Sequence, residues 1–129
     1  RIQALAMNEA ARMVEEGVAS AEEIDKAIRY GFGFRYAVLG LLEFIDWGGG
    51  DILYYASRYL EGALGSDRYR APDVISRNMH EGRIGLRTGA GFLDYSGMDV
   101  DAYRVKRLQA MVDLLRHFEL ARPPVLDRN

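Results

Sequence analysis

Phe34-Arg35-Tyr36, an arginine flanked by aromatics, leads into the almost wholly apolar run Ala37-Val-Leu-Gly-Leu-Leu-Glu-Phe-Ile-Asp-Trp47. That setting makes Arg35 the foremost candidate for contact with a ligand. A guanidinium is a planar fork of N–H donors and grips a carboxylate or phosphate through two parallel hydrogen bonds. The same cation would equally neutralise Glu43 or Asp46 beside the core, and both roles stand open. Glu43 and Asp46 lie about one helical turn apart and so share a face, where a pair of carboxylates can divide acid and base work. In the plainer reading one of them caps or pairs and the other orients a neighbouring loop.

The remaining candidates are fewer. His80 and His117, the only histidines, fall near the ends of expected helices, where the helix dipole favours an imidazolium and neither has an orienting partner nearby in sequence. Arg83, Arg87 and Thr88, set among glycines, have the composition of an anion cradle, although the same loop would serve for packing. Gly31-Phe-Gly33 and Gly89-Ala-Gly91 each lack the third glycine of a dinucleotide fingerprint, so no cofactor-binding residue is assigned in this chain. No metal site and no catalytic residue is assigned either. Cysteine is absent, which removes disulfides, thiolate ligands and a thiol nucleophile.

The elements that position these groups follow from periodicity. At 129 residues the chain reads as one domain, large enough to bury a core. Ile2, Leu5, Ala6, Ala10, Met13 and Val14 are in helical phase from the first residues and stop at Gly17. With no cap before them, the chain is expected to begin inside a helix, as a piece of a longer protein. Ser20-Ala-Glu-Glu23 reads as a capping box for a second helix to about Tyr30. Ala37 to Trp47 reads as a short, deeply buried helix ended by Gly48-Gly-Gly50, and Asp51 as the N-cap of the next, which carries Leu53, Ala56, Tyr59, Leu60 and Ala63 in phase to Gly65. Pro72 suits the first turn of a helix ending at Gly82. A short strand is expected at Phe92 to Tyr95. A last helix spans about Val100 to Leu120, with Leu108, Met111, Val112, Leu115 and Phe118 inside, and is stopped by Pro123-Pro124. The fold class is therefore all-α, a helical bundle with one irregular loop. Tyr54, Tyr55 and Tyr59 cannot all face one core, because neighbouring helical positions diverge by about 100°. An outward tyrosine face suggests self-association into a homodimer.

Composition excludes other classes. Seventeen basic against 19 acidic residues, interspersed, give a net charge of −2 and no basic stripe for nucleic acid. The longest apolar run falls short of the ~20 residues of a bilayer span, and no signal sequence is visible, so the expected location is cytoplasmic with no membrane partner.

Two segments carry a resemblance: Tyr30-Gly-Phe-Gly-Phe-Arg-Tyr-Ala-Val-Leu-Gly-Leu-Leu-Glu-Phe-Ile-Asp-Trp-Gly-Gly-Gly-Asp51 and Gly82-Arg-Ile-Gly-Leu-Arg-Thr-Gly-Ala-Gly-Phe-Leu-Asp-Tyr95. The second resembles the Gly-Lys-x-Gly-x-Lys-Thr-Gly-x-Gly-Phe-Tyr-Asp-Tyr pattern of the C-terminal domain of the 3-hydroxyacyl-CoA dehydrogenase family, with arginines at both lysine positions and Leu93 replacing an aromatic. The first departs from that family's Gly-Pro-Phe-Glu at Gly40-Leu-Leu-Glu43. Its Phe-Arg-Tyr-Ala run is similar to the hydroxyacid and carnitine dehydrogenase branches. The resemblance runs in order from Arg1 to about Phe118. It implies a bundle like the C-terminal domain of 6-phosphogluconate dehydrogenase-like enzymes, in which residues 1–129 form a substrate-pocket and dimerisation domain. It further implies a separate N-terminal nucleotide-binding domain that holds NAD and the catalytic histidine and glutamate, an active-site asparagine just upstream of Arg1, and a role in fatty acid metabolism. The substrate would be an acyl-CoA or, in a gulonate- or carnitine-type relative, a small hydroxyacid whose carboxylate meets Arg35. In this family the glycine-rich loop packs against the first helix and the neighbouring domain. A helical dimerisation module without chemistry is the remaining alternative.

Overall fold

The computed structural model describes residues 1–122, which form helices and short helical turns joined by loops. Two compact units divide the chain, Arg1–Val38 and the residues from Leu39 onward. The stop of the last helix at Pro123-Pro124 lies outside the described residues.

In the first unit α1, Ile2–Glu15, packs on α2, Ala21–Ala27. Ser20 caps α2 as its sequence requires: the hydroxyl accepts from Glu23 N at 3.3 Å while the Glu23 carboxylate accepts from Ser20 N at 3.0 Å. The expected apolar face of α1 is open, however, and Ile2, Leu5 and Val14 are exposed. A 14-residue stripe is about twice the length that the seven-residue α2 can cover within this unit, and Ile24 is its one buried apolar residue among those described.

Helix α2 does not stop at Tyr30. It widens into a π-turn, Ile28–Phe32, and then tightens into a 3-10 turn, Gly33–Ala37. The cause is local. Gly33 N–H donates five residues back to the Ile28 carbonyl, and a Cβ at position 33 would lie 2.6 Å from that oxygen, so only glycine closes the turn.

In the second unit the run expected as one buried helix is broken at Gly40, and α3 spans Leu41–Gly48. Its leucines are exposed, Leu42 to 50%, while Phe44, Ile45 and Trp47 are half-buried. The buried residue of α3 is Asp46, at 2%. A chain reversal follows at once, and α4 spans Gly50–Leu64 from a Gly49 whose φ is +108°. Asp51 thus occupies the first turn of α4 instead of capping it. Ser57 is its buried residue, while Tyr59 is 73% and Tyr55 61% exposed. The face expected inward is therefore the outer one.

α5 spans Asp73–His80, with Pro72 one residue earlier than expected, at the N-cap. The strand expected at Phe92–Tyr95 is not formed. Residues 83–95 curl around a 3-10 turn, Leu86–Thr88, closed by isolated bridges from Ala90 to Gly85 and Asp94. Then α6, Val100–His117, starts from an Asp99 whose carboxylate accepts from Ala102 N at 3.0 Å. Its half-buried side is Tyr103, Arg107, Ala110, Met111 and Leu114, leaving Leu108, Val112 and Phe118, expected inside, exposed. Met111 and Leu115 are half-buried as expected, so the apolar stripe gave the face only in part, and polar ties from Tyr103 and Arg107 to α3 turn the helix away from Leu108 and Val112.

Candidate functional site

Arg35 stands in the 3-10 turn of the first unit, half-buried, and its Nε donates to the Gly31 carbonyl at 3.1 Å. In an uninterrupted α-helix that carbonyl would receive the amide of residue 35. Here the side chain supplies a donor to it and is thereby held in one direction. Nearby in the chain, the Phe32 and Tyr36 rings meet edge to face at 5.8 Å, and both are exposed. The unit thus presents an oriented cation and two exposed aromatic rings, the equipment for recognising an anion on an apolar or planar body.

Glu43 and Asp46 share a face of α3, as their spacing requires, but they are not an acid–base pair. Each is consumed by separate partners within the second unit. Asp46 accepts from Phe92 N and Leu93 N, each at 2.8 Å, and from the Tyr95 hydroxyl at 3.1 Å. The glycine-rich loop closes against it so tightly that a Cβ on Gly85, whose φ is +129°, would fall 2.2 Å from the Asp46 carbonyl oxygen, and one on Gly91 2.0 Å from Oδ1. Both positions must be glycine. Burial, together with the neighbouring Asp46 charge, pushes the Tyr95 hydroxyl well above its ordinary range, so it remains a donor.

Glu43 does different work. Its Oε2 accepts from Gly40 N at 2.9 Å, capping α3, and its Oε1 accepts from the Tyr103 hydroxyl and from Arg107 Nη2 at 2.7 Å. Burial works to raise its pKa, but the Tyr103 and Gly40 hydrogen bonds and the Arg107 charge outweigh it, so the carboxyl titrates below its ordinary 4.5. Arg107 also lies over the Tyr103 ring at 5.2 Å, and that ring meets Trp47 at 5.8 Å and Tyr95 at 6.3 Å.

The anion cradle at residues 83–88 is not available. Arg83 donates to the Gly91 carbonyl at 2.6 Å, and Arg87 pairs with Asp51, holding that carboxyl below its ordinary value. The Thr88 hydroxyl accepts from Ile84 N at 3.0 Å and faces the Ala90 carbonyl at 3.0 Å. His80 Nδ1 meets the Ser76 carbonyl at 2.7 Å, a contact it makes only as a donor, and His117 meets the Phe118 ring edge to face at 5.2 Å. Both histidines act at helix ends. Among the described residues no cluster of acids and histidines could hold a metal, and no helix is long and apolar enough to cross a membrane.

Tyr103, Arg107 and Tyr95 were missed as partners of the α3 acids. The four-residue spacing of Tyr103 and Arg107 announces a shared face, but nothing local announces an acid sixty residues away.

This all-α architecture agrees with the comparisons. Residues 1–95 match the C-terminal domain of 3-hydroxyacyl-CoA dehydrogenase. The chain belongs to that family. A solved 3-hydroxyacyl-CoA dehydrogenase from Archaeoglobus fulgidus superposes with a TM-score of 0.79 at 33% identity, over 94% of this chain and 41% of the other. Among curated relatives, the fatty acid oxidation complex subunit alpha of Shewanella halifaxensis is 37% identical over 88% of this chain and 16% of its own length. The 5-formyl-3-hydroxy-2-methylpyridine 4-carboxylate 5-dehydrogenase of Mesorhizobium japonicum is 28% identical over 88% of this chain and 36% of its own. The chain thus spans well under half the length of these relatives.

Two outcomes test this geometry. Asp46→Asn turns an amide N–H toward one of the loop amides, and we expect it to cost at least about 1.5–3 kcal/mol in urea unfolding. Gly91→Ala should cost as much or more, whereas Gly62→Ala, in the last turn of α4 with nothing within 4 Å of the new methyl, should be neutral or stabilising. Equal midpoints for all three would remove the lock.

The Glu43 carboxyl has a folded pKa below its unfolded one, so the stability it contributes is complete above about 4.5 and is lost as pH falls through the lower folded value. Between about pH 6 and about pH 3 the wild type should therefore lose more stability than Glu43→Gln. Parallel curves would mean that Glu43 is not held ionised by Tyr103 and Arg107.

Proposed function

We propose that this chain is the helical substrate-pocket and dimerisation domain of a cytoplasmic, NAD-dependent 3-hydroxyacyl-CoA dehydrogenase, which oxidises a 3-hydroxyacyl-CoA to the 3-oxoacyl-CoA in fatty acid metabolism. The observation that carries this reading is the family match over residues 1–95, supported by a matching solved structure whose name states that activity. The larger share of each relative that this chain does not span leaves room for the nucleotide-binding domain, the partner within the same enzyme.

NAD belongs to that partner domain, because the residues of this chain do not fit its pyrophosphate. The glycines that could approach a phosphate, Gly85 and Gly91, are pressed against Asp46, and the loop arginines are spent on Gly91 and Asp51. What this chain contributes is binding. Arg35, held by the Gly31 carbonyl, grips an anionic group of the substrate. A small free hydroxyacid is a second substrate class, favoured by the Phe34-Arg35-Tyr36 setting and by a relative whose printed name contains a carboxylate.

In the full-length enzyme Arg35→Ala should lower kcat/KM at least tenfold, the loss of about 1.5–3 kcal/mol expected for a charge-assisted contact, with little change in melting temperature. Assaying a 3-hydroxyacyl-CoA beside a free hydroxyacid identifies which substrate feels the change. Unchanged kinetics for both would remove Arg35 from the site. The domain alone should turn over neither.

The homodimer is expected on the outer face of α4. Ile52, Tyr55, Ala56, Tyr59 and Ala63 recur there at helical spacing, all exposed, an apolar stripe of the kind that marks interfaces. Tyr59→Glu should shift sedimentation toward the monomer while leaving the circular dichroism spectrum unchanged. A variant that stays dimeric would place the interface elsewhere.

A further inference from the structure

α6, Val100–His117, is the last helix among the described residues. Its attachment differs from that of α3, α4 and α5, each of which has a buried residue. None of its 18 residues is fully buried. Two side-chain hydrogen bonds join it to α3, from Tyr103 and from Arg107, and both end on the same atom, Glu43 Oε1. The ring of Tyr103 adds its contacts to Trp47 and Tyr95 at the same point. Farther along, Val105, Leu108 and Val112 are exposed at helical spacing and bury little. The docked position is also imperfect, because Arg107 Nε is buried without a hydrogen-bond partner, which costs stability relative to water.

The Asp46 lock is built the opposite way. Its three donors converge on both oxygens of a carboxylate that is almost wholly enclosed, and two glycines are fitted to it by shape. Opening it breaks three hydrogen bonds and a shape-fitted contact at once. Undocking α6 breaks two hydrogen bonds, and Glu43 keeps its Gly40 cap and regains water on its other oxygen.

We propose that α6 is a detachable strap, docked through Glu43 and released as a unit while the loop around Asp46 remains closed. Such release uncovers the Trp47 and Tyr95 rings and frees the Tyr103 face of α6. Local openings of this kind are drawn from the parts of a fold with the least burial.

Native-state amide hydrogen exchange on the intact protein tests this. Helix α6 amides from Tyr103 to His117 should exchange through a smaller opening, with weaker denaturant dependence, than the amides of Phe92 and Leu93. Tyr103→Phe keeps the ring and leaves Glu43 in place, and it should speed exchange in α6 about tenfold or more without changing Phe92 and Leu93. Arg107→Met, made independently, should reproduce that selectivity. If α6 and the two loop amides open together in the wild type, or accelerate together in the variants, α6 is part of one cooperative unit and the strap does not exist.

Discussion

The second unit depends on one buried carboxylate. Asp46 is nearly inaccessible, and an ion in that position is tolerated only when its lone pairs are filled. Two backbone amides and a tyrosine hydroxyl fill them, and all three come from a stretch of four residues, Phe92 to Tyr95. To deliver them the chain must pass within contact distance of α3 twice, and each pass is made at a glycine. The irregular loop is therefore not loose chain between helices. It is the counterpart of an acid on α3, and the remaining hydrogen bonds of Thr88 and Arg83 hold its ends in the curvature that this acid imposes.

The same short helix carries a second acid with a different task. Glu43, one turn earlier, joins the start of α3 to a helix sixty residues downstream. Two carboxylates on a shared face invite an acid–base interpretation, and the geometry dissolves it, since each is saturated by its own donors. An apolar helix with open leucines but a sunken aspartate reverses the usual expectation. Its position is set by polar ties more than by the burial of its hydrophobic side chains.

Local signals were legible where local physics decided the outcome. The Ser20 box, the left-handed Gly65 at the end of α4 and the positions of the main helices follow from residues a few places apart. The family motif around Gly82 to Tyr95 was also legible as a pattern, although its meaning was not, because the atom it encloses lies forty-six residues upstream. Faces were the least legible property. Leu108 and Val112 have the spacing of a core stripe, yet Tyr103 and Arg107 define the inner side of α6. The aromatic and apolar face of α4 likewise reads as core and is solvent-facing in the single chain. Hydrophobic periodicity reports that a surface will be covered; it does not distinguish cover by the same chain from cover by another.

The π-turn at Ile28–Phe32 contains one residue more than an α-helical turn would use to cover the same length. Removing a residue there would rotate all that follows by about 100° about the local axis. Arg35 and Tyr36 would then point a quarter of a circle or more away from their present bearing, with no change in their identity. The azimuth of this cation is thus written in the count of residues before it. A relative could redirect Arg35 by a single-codon deletion that no comparison of site residues would register.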